Sequence, residues 1–226
     1  MIRLVCKSPA AAFACLLAGL ALLASACGGS PPAYVYHYVL NYPPPAPVEQ
    51  AQRLDAALKV ERLGSLPLVN TQKMLVMLGG HEVSQISDHR WQSYPADMVS
   101  SLLSRDLQAG RRYKAVFGPD SSQLPRFRLE GGVVQFVEKQ GKGGNRAVLR
   151  LELTLLDDHQ QDVLKQVMYQ KSYAHAAPLA GGGGAALAQA MSQAMAALSP
   201  QARSDLATAI SARLAEPDPK QDKGGK

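Results

Sequence analysis

Leu149, Leu151, Leu153 and Leu155 alternate with Val148, Arg150, Glu152 and Thr154, a sharp period-two pattern. Strand side chains alternate between two faces, so the leucine row predicts a buried face and the other row a face toward water. A second long strand is predicted over 127–138, before the one over 147–156, with Gln140-Gly141-Lys142-Gly143-Gly144-Asn145 as the hairpin loop. Glycine reaches positive φ without steric cost, which suits it to a tight reversal. Shorter runs of aromatic and β-branched residues predict strands over 34–40, 57–63, 73–78 and 112–117, with a weaker extended segment over 81–86. After a turn at Asp157-Asp158-His159, a last strand over 163–174 completes a meander.

Apolar spacing changes to a helical period in two regions. Met98, Leu102, Leu103 and Leu107 predict a helix over 95–108, with Pro95 in the first turn, where its missing N–H costs nothing, and Gly110 as the stop. Beyond the glycines at 181–184, Leu187, Ala190, Met191, Ala194, Met195 and Leu198 form one stripe. Ser199-Pro200 has the form of an N-cap and first helical proline, so a separate helix carrying Leu206, Ile210 and Leu214 is expected there. The predicted fold class is α/β (α+β), a compact sandwich of a mixed or antiparallel, hairpin-rich sheet packed against helices. Residues 216–226, rich in Pro, Lys, Asp and Gly, are expected to be disordered.

The first residues follow a different logic. Arg3 and Lys7 precede an uncharged apolar run over 10–23 that ends in Ala24-Ser25-Ala26-Cys27. The run is shorter than the roughly 20 residues that span a bilayer comfortably, which predicts a cleaved signal over 1–26. The arrangement resembles a bacterial lipoprotein signal, with Cys27 as the lipidated residue and 27–33 as the lipidated N-terminus and Gly/Ser/Pro spacer. Ala24 stands where such lipoboxes usually carry Leu, and Leu23 lies one place earlier. Ordinary secretory cleavage near Ala24-Ser25-Ala26 is the alternative, with Cys27 then an unmodified thiol. No Asp follows Cys27 to act as an inner-membrane retention signal, so delivery to the outer membrane, facing the periplasm, is expected.

Processing resets the composition. Loss of 1–26 removes Arg3, Lys7, Cys6 and Cys15, leaving 22 basic and 18 acidic residues, a net charge of +4. That imbalance, with no run of five or six basic residues, does not predict a nucleic-acid partner. Cys27 is then the only cysteine, so neither a disulfide nor a cysteine metal site is expected once its sulfur is acylated. His81, Glu82, Asp88 and His89 form a local cluster of titratable groups, but their spacing fits no metal-binding helical pair. They are expected to be surface-loop residues, and His159 a solvated turn residue. No nucleophile elbow or phosphate loop occurs, so no catalytic residue, cofactor or metal is predicted. Trp91 is expected to be a core anchor whose indole N–H finds a partner. Lys139, Lys142 and Arg146 gather near the long hairpin loop as a possible contact with an acidic partner or lipid headgroups.

Taken in order, Tyr36-His37-Tyr38-Val39-Leu40, the segment Arg90-Trp91-Gln92-Ser93-Tyr94-Pro95-Ala96-Asp97-Met98, the region 102–117, the long strands and the Ala/Met-rich helix resemble the ABC-type transport auxiliary lipoprotein family of the paraquat-inducible protein C type. The resemblance covers nearly all of the expected domain, 34–215. It implies a non-enzymatic, palmitate-bearing outer-membrane lipoprotein that acts with a mammalian-cell-entry-type substrate-binding protein and an inner-membrane ABC permease and ATPase. The cargo it implies is phospholipid or another hydrophobic molecule; the membrane is engaged through the lipid anchor, and homo-oligomerisation stays open. Two rival functions share the anchor and a small α/β domain: activation of a peptidoglycan synthase and assistance in secretion-system assembly.

Overall fold

The longest ladder in the protein joins β7 (Phe127–Lys139) to β8 (Arg146–Asp157), antiparallel from the pair Phe127 and Asp157 to the pair Lys139 and Arg146. Leu149, Leu151, Leu153 and Leu155 are all buried, while Arg150 and Glu152 are exposed on the other face, as period-two alternation requires. These coordinates come from a computed structural model that describes residues 34–216. The signal segment, Cys27, the spacer and the tail from 217 onward lie outside the described residues.

β9 (Val167–Pro178) pairs with the far side of β8. The other edge of β7 is covered in succession by three parallel strands: β2 (Leu54–Val60) at 127–129, β3 (Gly64–Ser65) at 132–133 and β4 (Lys73–Leu78) at 138–139. From this junction the sheet branches. β6 (Tyr113–Phe117) continues it beyond β2, whereas β5 (Glu82–Trp91) and then β1 (Tyr36–Tyr38) continue it beyond β4. The result is a mixed sheet of nine strands among the described residues, and the fold is α+β.

Helices α1 (Pro95–Ala109) and α3 (Gly183–Leu214) cover the leucine face and touch each other; α2 (Val163–Gln166) is a single turn before β9. The core is one continuous cluster in which Leu58, Leu129, Leu153, Val99, Leu103, Met191, Met195 and Ile210 are each 1% exposed or less. Burying an aliphatic side chain of this size contributes about 1.5–3 kcal/mol, so this layer dominates stability.

Several elements differ from the sequence expectation, each for a local reason. β1 is three residues long and not seven, and β2 begins at Leu54, three residues earlier than expected. β5 runs for ten residues to Trp91, although its side chains are exposed or half-buried as far as Arg90. Backbone pairing with β4 and β1, not an apolar pattern, makes it a strand. Asp162 accepts a bond from the Leu164 amide at 3.0 Å and caps α2, which displaces the start of the last strand from 163 to 167. Gly110 keeps right-handed helical geometry, and Arg111 instead takes positive φ (49°).

The expected break at Ser199-Pro200 does not occur, because α3 is one 32-residue helix with Pro200 inside it. Proline is normally costly at such a position. Here the Ser199 hydroxyl donates to Asp106 of α1 instead of capping a new helix, and Ala202 and Leu206 beyond it are buried. Core packing on both sides of the proline outweighs the missing N–H. Leu214, expected on the buried stripe, is 36% exposed.

Candidate functional site

Trp91 ends β5 and is fully buried, with its ring edge-on to Phe136 at 4.9 Å between centroids. Its Nε1 has no hydrogen-bond partner among the described residues, contrary to expectation. The ring sits there for packing, and its polar atom is carried along uncompensated.

The local titratable cluster is divided by β5. His81 and Glu82 are exposed at one end of the strand and His89 lies near the other, so the length of β5 separates the two histidines. His89 is not a loop residue. It is partly buried, stacks on Tyr36 at 5.3 Å and shares a 2.9 Å hydrogen bond between Nδ1 and the Tyr38 hydroxyl. A Cβ on Gly184 would lie 2.5 Å from that nitrogen, so the first turn of α3 closes over the imidazole only because residue 184 has no side chain. Asp88 remains exposed, with φ of 56°. Among the described residues no group of three His, Cys, Asp or Glu side chains is placed to hold a metal ion.

Three acidic side chains bind the layers together. Asp106, on α1, is fully buried; it accepts bonds from Arg105 Nε at 2.9 Å and Nη2 at 2.7 Å, from the Tyr42 hydroxyl at 2.6 Å, and from Ser199 of α3. Burial, then the bond to Asp106, pushes the Tyr42 phenol well above its ordinary range. Asp157, expected in a solvated turn, is also fully buried, and Arg126 holds it with two parallel bonds of 2.9 Å. Asp205 of α3 accepts from Lys171 at 2.6 Å and from the Tyr173 hydroxyl at 2.8 Å, joining α3 to β9. The sequence carried a signal for Asp106, since a carboxylate three residues after Leu103 falls on the buried stripe of α1 and must bring partners with it.

Both Asp157 and Asp205 sit below the usual carboxylate range. For Asp157, burial opposes ionisation and is outweighed by bonds from Arg126, the His159 amide and Gln160; for Asp205 the Lys171 bond leads. A carboxyl depressed in the folded state contributes stability that is complete above its unfolded value, about 3.9, and is lost as pH falls through the folded value. Urea midpoints are therefore expected to be insensitive to these groups near neutrality and to fall below about pH 4. Asp205→Asn should make that acid loss shallower. An identical profile in the variant would contradict the assignment.

On the open face of the sheet, Gly64 of β3 registers against Gly132 of β7, beside Gly131. The absence of side chains there leaves a cleft of about 490 Å³, flanked by Leu66, Val134, Thr154, Gln170 and Ser172. Leu66 is 51% exposed, and the buried Ser65 hydroxyl has no hydrogen-bond partner among the described residues. Such a surface can receive another molecule's backbone or apolar groups. The basic residues of the hairpin are spread along its end: Lys139 and Arg146 are cross-strand partners, Lys142 is exposed at the tip, and Arg146 Nη1 donates to the Ala176 carbonyl at 3.3 Å.

The family model for the ABC-type transport auxiliary lipoprotein component matches residues 38–202, which takes in β2 to β9, α1, α2 and most of α3. The chain belongs to that family. The chain is similar in fold to protein XCC0632 from Xanthomonas campestris, described by the DUF330 family model, with a TM-score of 0.70 and 16% identity over 80% of this chain and 100% of that one. It is also similar to an uncharacterized protein (TM-score 0.58, 14% identity, 76% and 99% coverage) and to hypothetical protein CT253 from Chlamydia trachomatis (TM-score 0.52, 8% identity, 70% and 99% coverage). At those identities the likeness is one of fold. No curated protein matches the chain significantly in sequence. Family membership assigns the chain to an ABC-type transport system and, as a lipoprotein, to a membrane-anchored place in the cell envelope.

Proposed function

We propose that the chain is an outer-membrane lipoprotein, anchored through Cys27, that serves as a non-catalytic adaptor facing the periplasm. Its partners are a mammalian-cell-entry-type substrate-binding protein and an inner-membrane ABC permease and ATPase. Its cargo is phospholipid or another hydrophobic molecule. The observation that carries this reading is the family match over 38–202.

Two features support the finer points. The lipobox-like Ala24-Ser25-Ala26-Cys27 lies seven residues before Tyr34, so a spacer reaching at most about 25 Å holds the folded domain near the bilayer. Asp106 and Asp205 are committed to bonds between different elements and Asp157 to Arg126, which leaves surfaces as the working parts. Mass spectrometry of the mature N-terminus should show a diacylglyceryl cysteine at position 27, and Cys27→Ala should move the protein out of the membrane fraction. An unmodified N-terminus at any other residue would overturn the anchor.

A further inference from the structure

Where α1 ends and β6 begins, the sequence Gly110-Arg111-Arg112-Tyr113 faces Arg203 of α3 across a small cavity of about 190 Å³. Arg203 is packed tightly there, since a Cβ on Gly110 would lie 2.6 Å from its Nη2. Neither Arg112 nor Arg203 is in an ion pair with a carboxylate among the described residues, although both are half-buried. The two nearby acids are already engaged: Asp106 by Arg105, Tyr42 and Ser199, and Asp205 by Lys171 and Tyr173.

Two further polar atoms at this place lack partners. Arg112 Nε and the Tyr113 hydroxyl are buried with no hydrogen bond among the described residues, and Tyr113 is 7% exposed. A buried donor left unpaired costs roughly 1–3 kcal/mol, more when charged, so two at one place call for a compensating acceptor. Burial, and to a lesser degree the neighbouring Tyr169 phenol, raise the Tyr113 phenol above its ordinary value, while the cationic Arg112 and Arg203 pull it down. Arg203 at the C-terminal end of α1 is favoured by the helix dipole. That accounts for one guanidinium, but not for Arg112 Nε or the Tyr113 hydroxyl.

Arg112 Nε can only donate and the Tyr113 hydroxyl can donate as well as accept, and guanidinium pairs match the geometry of a tetrahedral oxyanion. At about 30 Å³ per water, the cavity has room for one such group. Tyr113 and Leu107 also line an adjoining groove of about 640 Å³, which carries Arg53 and Arg111 at its rim and Leu54, Ala115 and Val116 along its wall. We infer that the cavity between Arg112, Tyr113 and Arg203 is a binding site for a phosphate group, and that the adjoining groove takes whatever the phosphate is attached to. The site does not depend on the anchor or on the identity of the transport partners.

The test is titration calorimetry on the full-length protein in nonionic detergent and phosphate-free buffer, with inorganic phosphate and with dihexanoyl phosphatidic acid as separate probes. Saturable binding of inorganic phosphate supports a site for the free anion. Binding confined to phosphatidic acid supports the same site with a lipid headgroup as its source. In either case Arg112→Gln with Arg203→Gln should weaken binding at least tenfold and Tyr113→Phe severalfold, while Arg146→Gln, at the distant hairpin, leaves it unchanged. If the double variant fails to accumulate, Tyr113→Phe and the charge-keeping Arg203→Lys provide the comparison, with the phenylalanine variant the weaker binder. No saturable binding of either probe, or binding unaffected by these substitutions, overturns the proposal.

Discussion

Gly131→Ala is expected to destabilise the domain by about 4 kcal/mol or more, the range in which single substitutions become exceptional. Gly131 sits opposite Leu153 in the longest ladder of the sheet, with φ of 150°. A Cβ there would lie 2.0 Å from the Glu152 carbonyl oxygen and 2.9 Å from the Leu153 Cα. Both are backbone atoms, so no rotamer change relieves the clash and β7 must move away from β8. Strain in the positive-φ backbone adds to that cost. The neighbouring Gly132→Ala is the control, because its Cβ would meet the Gly64 oxygen at an ordinary 3.5 Å. Urea unfolding of both variants checks the difference, and equal midpoints would contradict it.

Trp91→Ala is expected to cost about 3–5 kcal/mol, the usual range for removing a large buried aromatic side chain. The ring is fully buried, contacts Phe136 edge-on and stands where β5 leads into α1. Because Nε1 has no partner among the described residues, no hydrogen bond within them is lost with it. Trp91→Phe should therefore recover much of the stability by restoring aromatic packing alone. An unfolding midpoint for Trp91→Ala close to that of the unaltered protein would instead mean that the ring contributes little to the core.

Elements with a strong period were legible from the chain alone. The leucine row of β8, the hairpin loop and α1 emerged because one face of each is buried against a single neighbour, which imprints a clean alternation or helical stripe. β5 was barely visible, since its side chains are exposed or half-buried up to Arg90 and only its pairing with β4 and β1 defines it. The Ser199-Pro200 pair reads locally as a helix start, and tertiary packing overrides it: Ser199 bonds to Asp106, 93 residues away in sequence. Asp157 was misread for the same reason, as its partner Arg126 lies 31 residues earlier. The Arg112, Tyr113 and Arg203 cavity had no sequence signature, because it depends on α3 crossing the end of α1. The order of motifs from Tyr36 to the Ala/Met-rich helix, in contrast, was enough to reveal the family.

Membership of an ABC transport system leaves open which envelope proteins this domain touches, and in-cell cross-linking resolves that most directly. Cells producing the full-length chain with Cys27 intact would be cross-linked before lysis, and the proteins joined to it identified by mass spectrometry. The adaptor account predicts a mammalian-cell-entry-type protein together with the permease or ATPase of its transporter, and loss of those products in Cys27→Ala. Cross-links confined to a peptidoglycan synthase or to secretion-system components would contradict it.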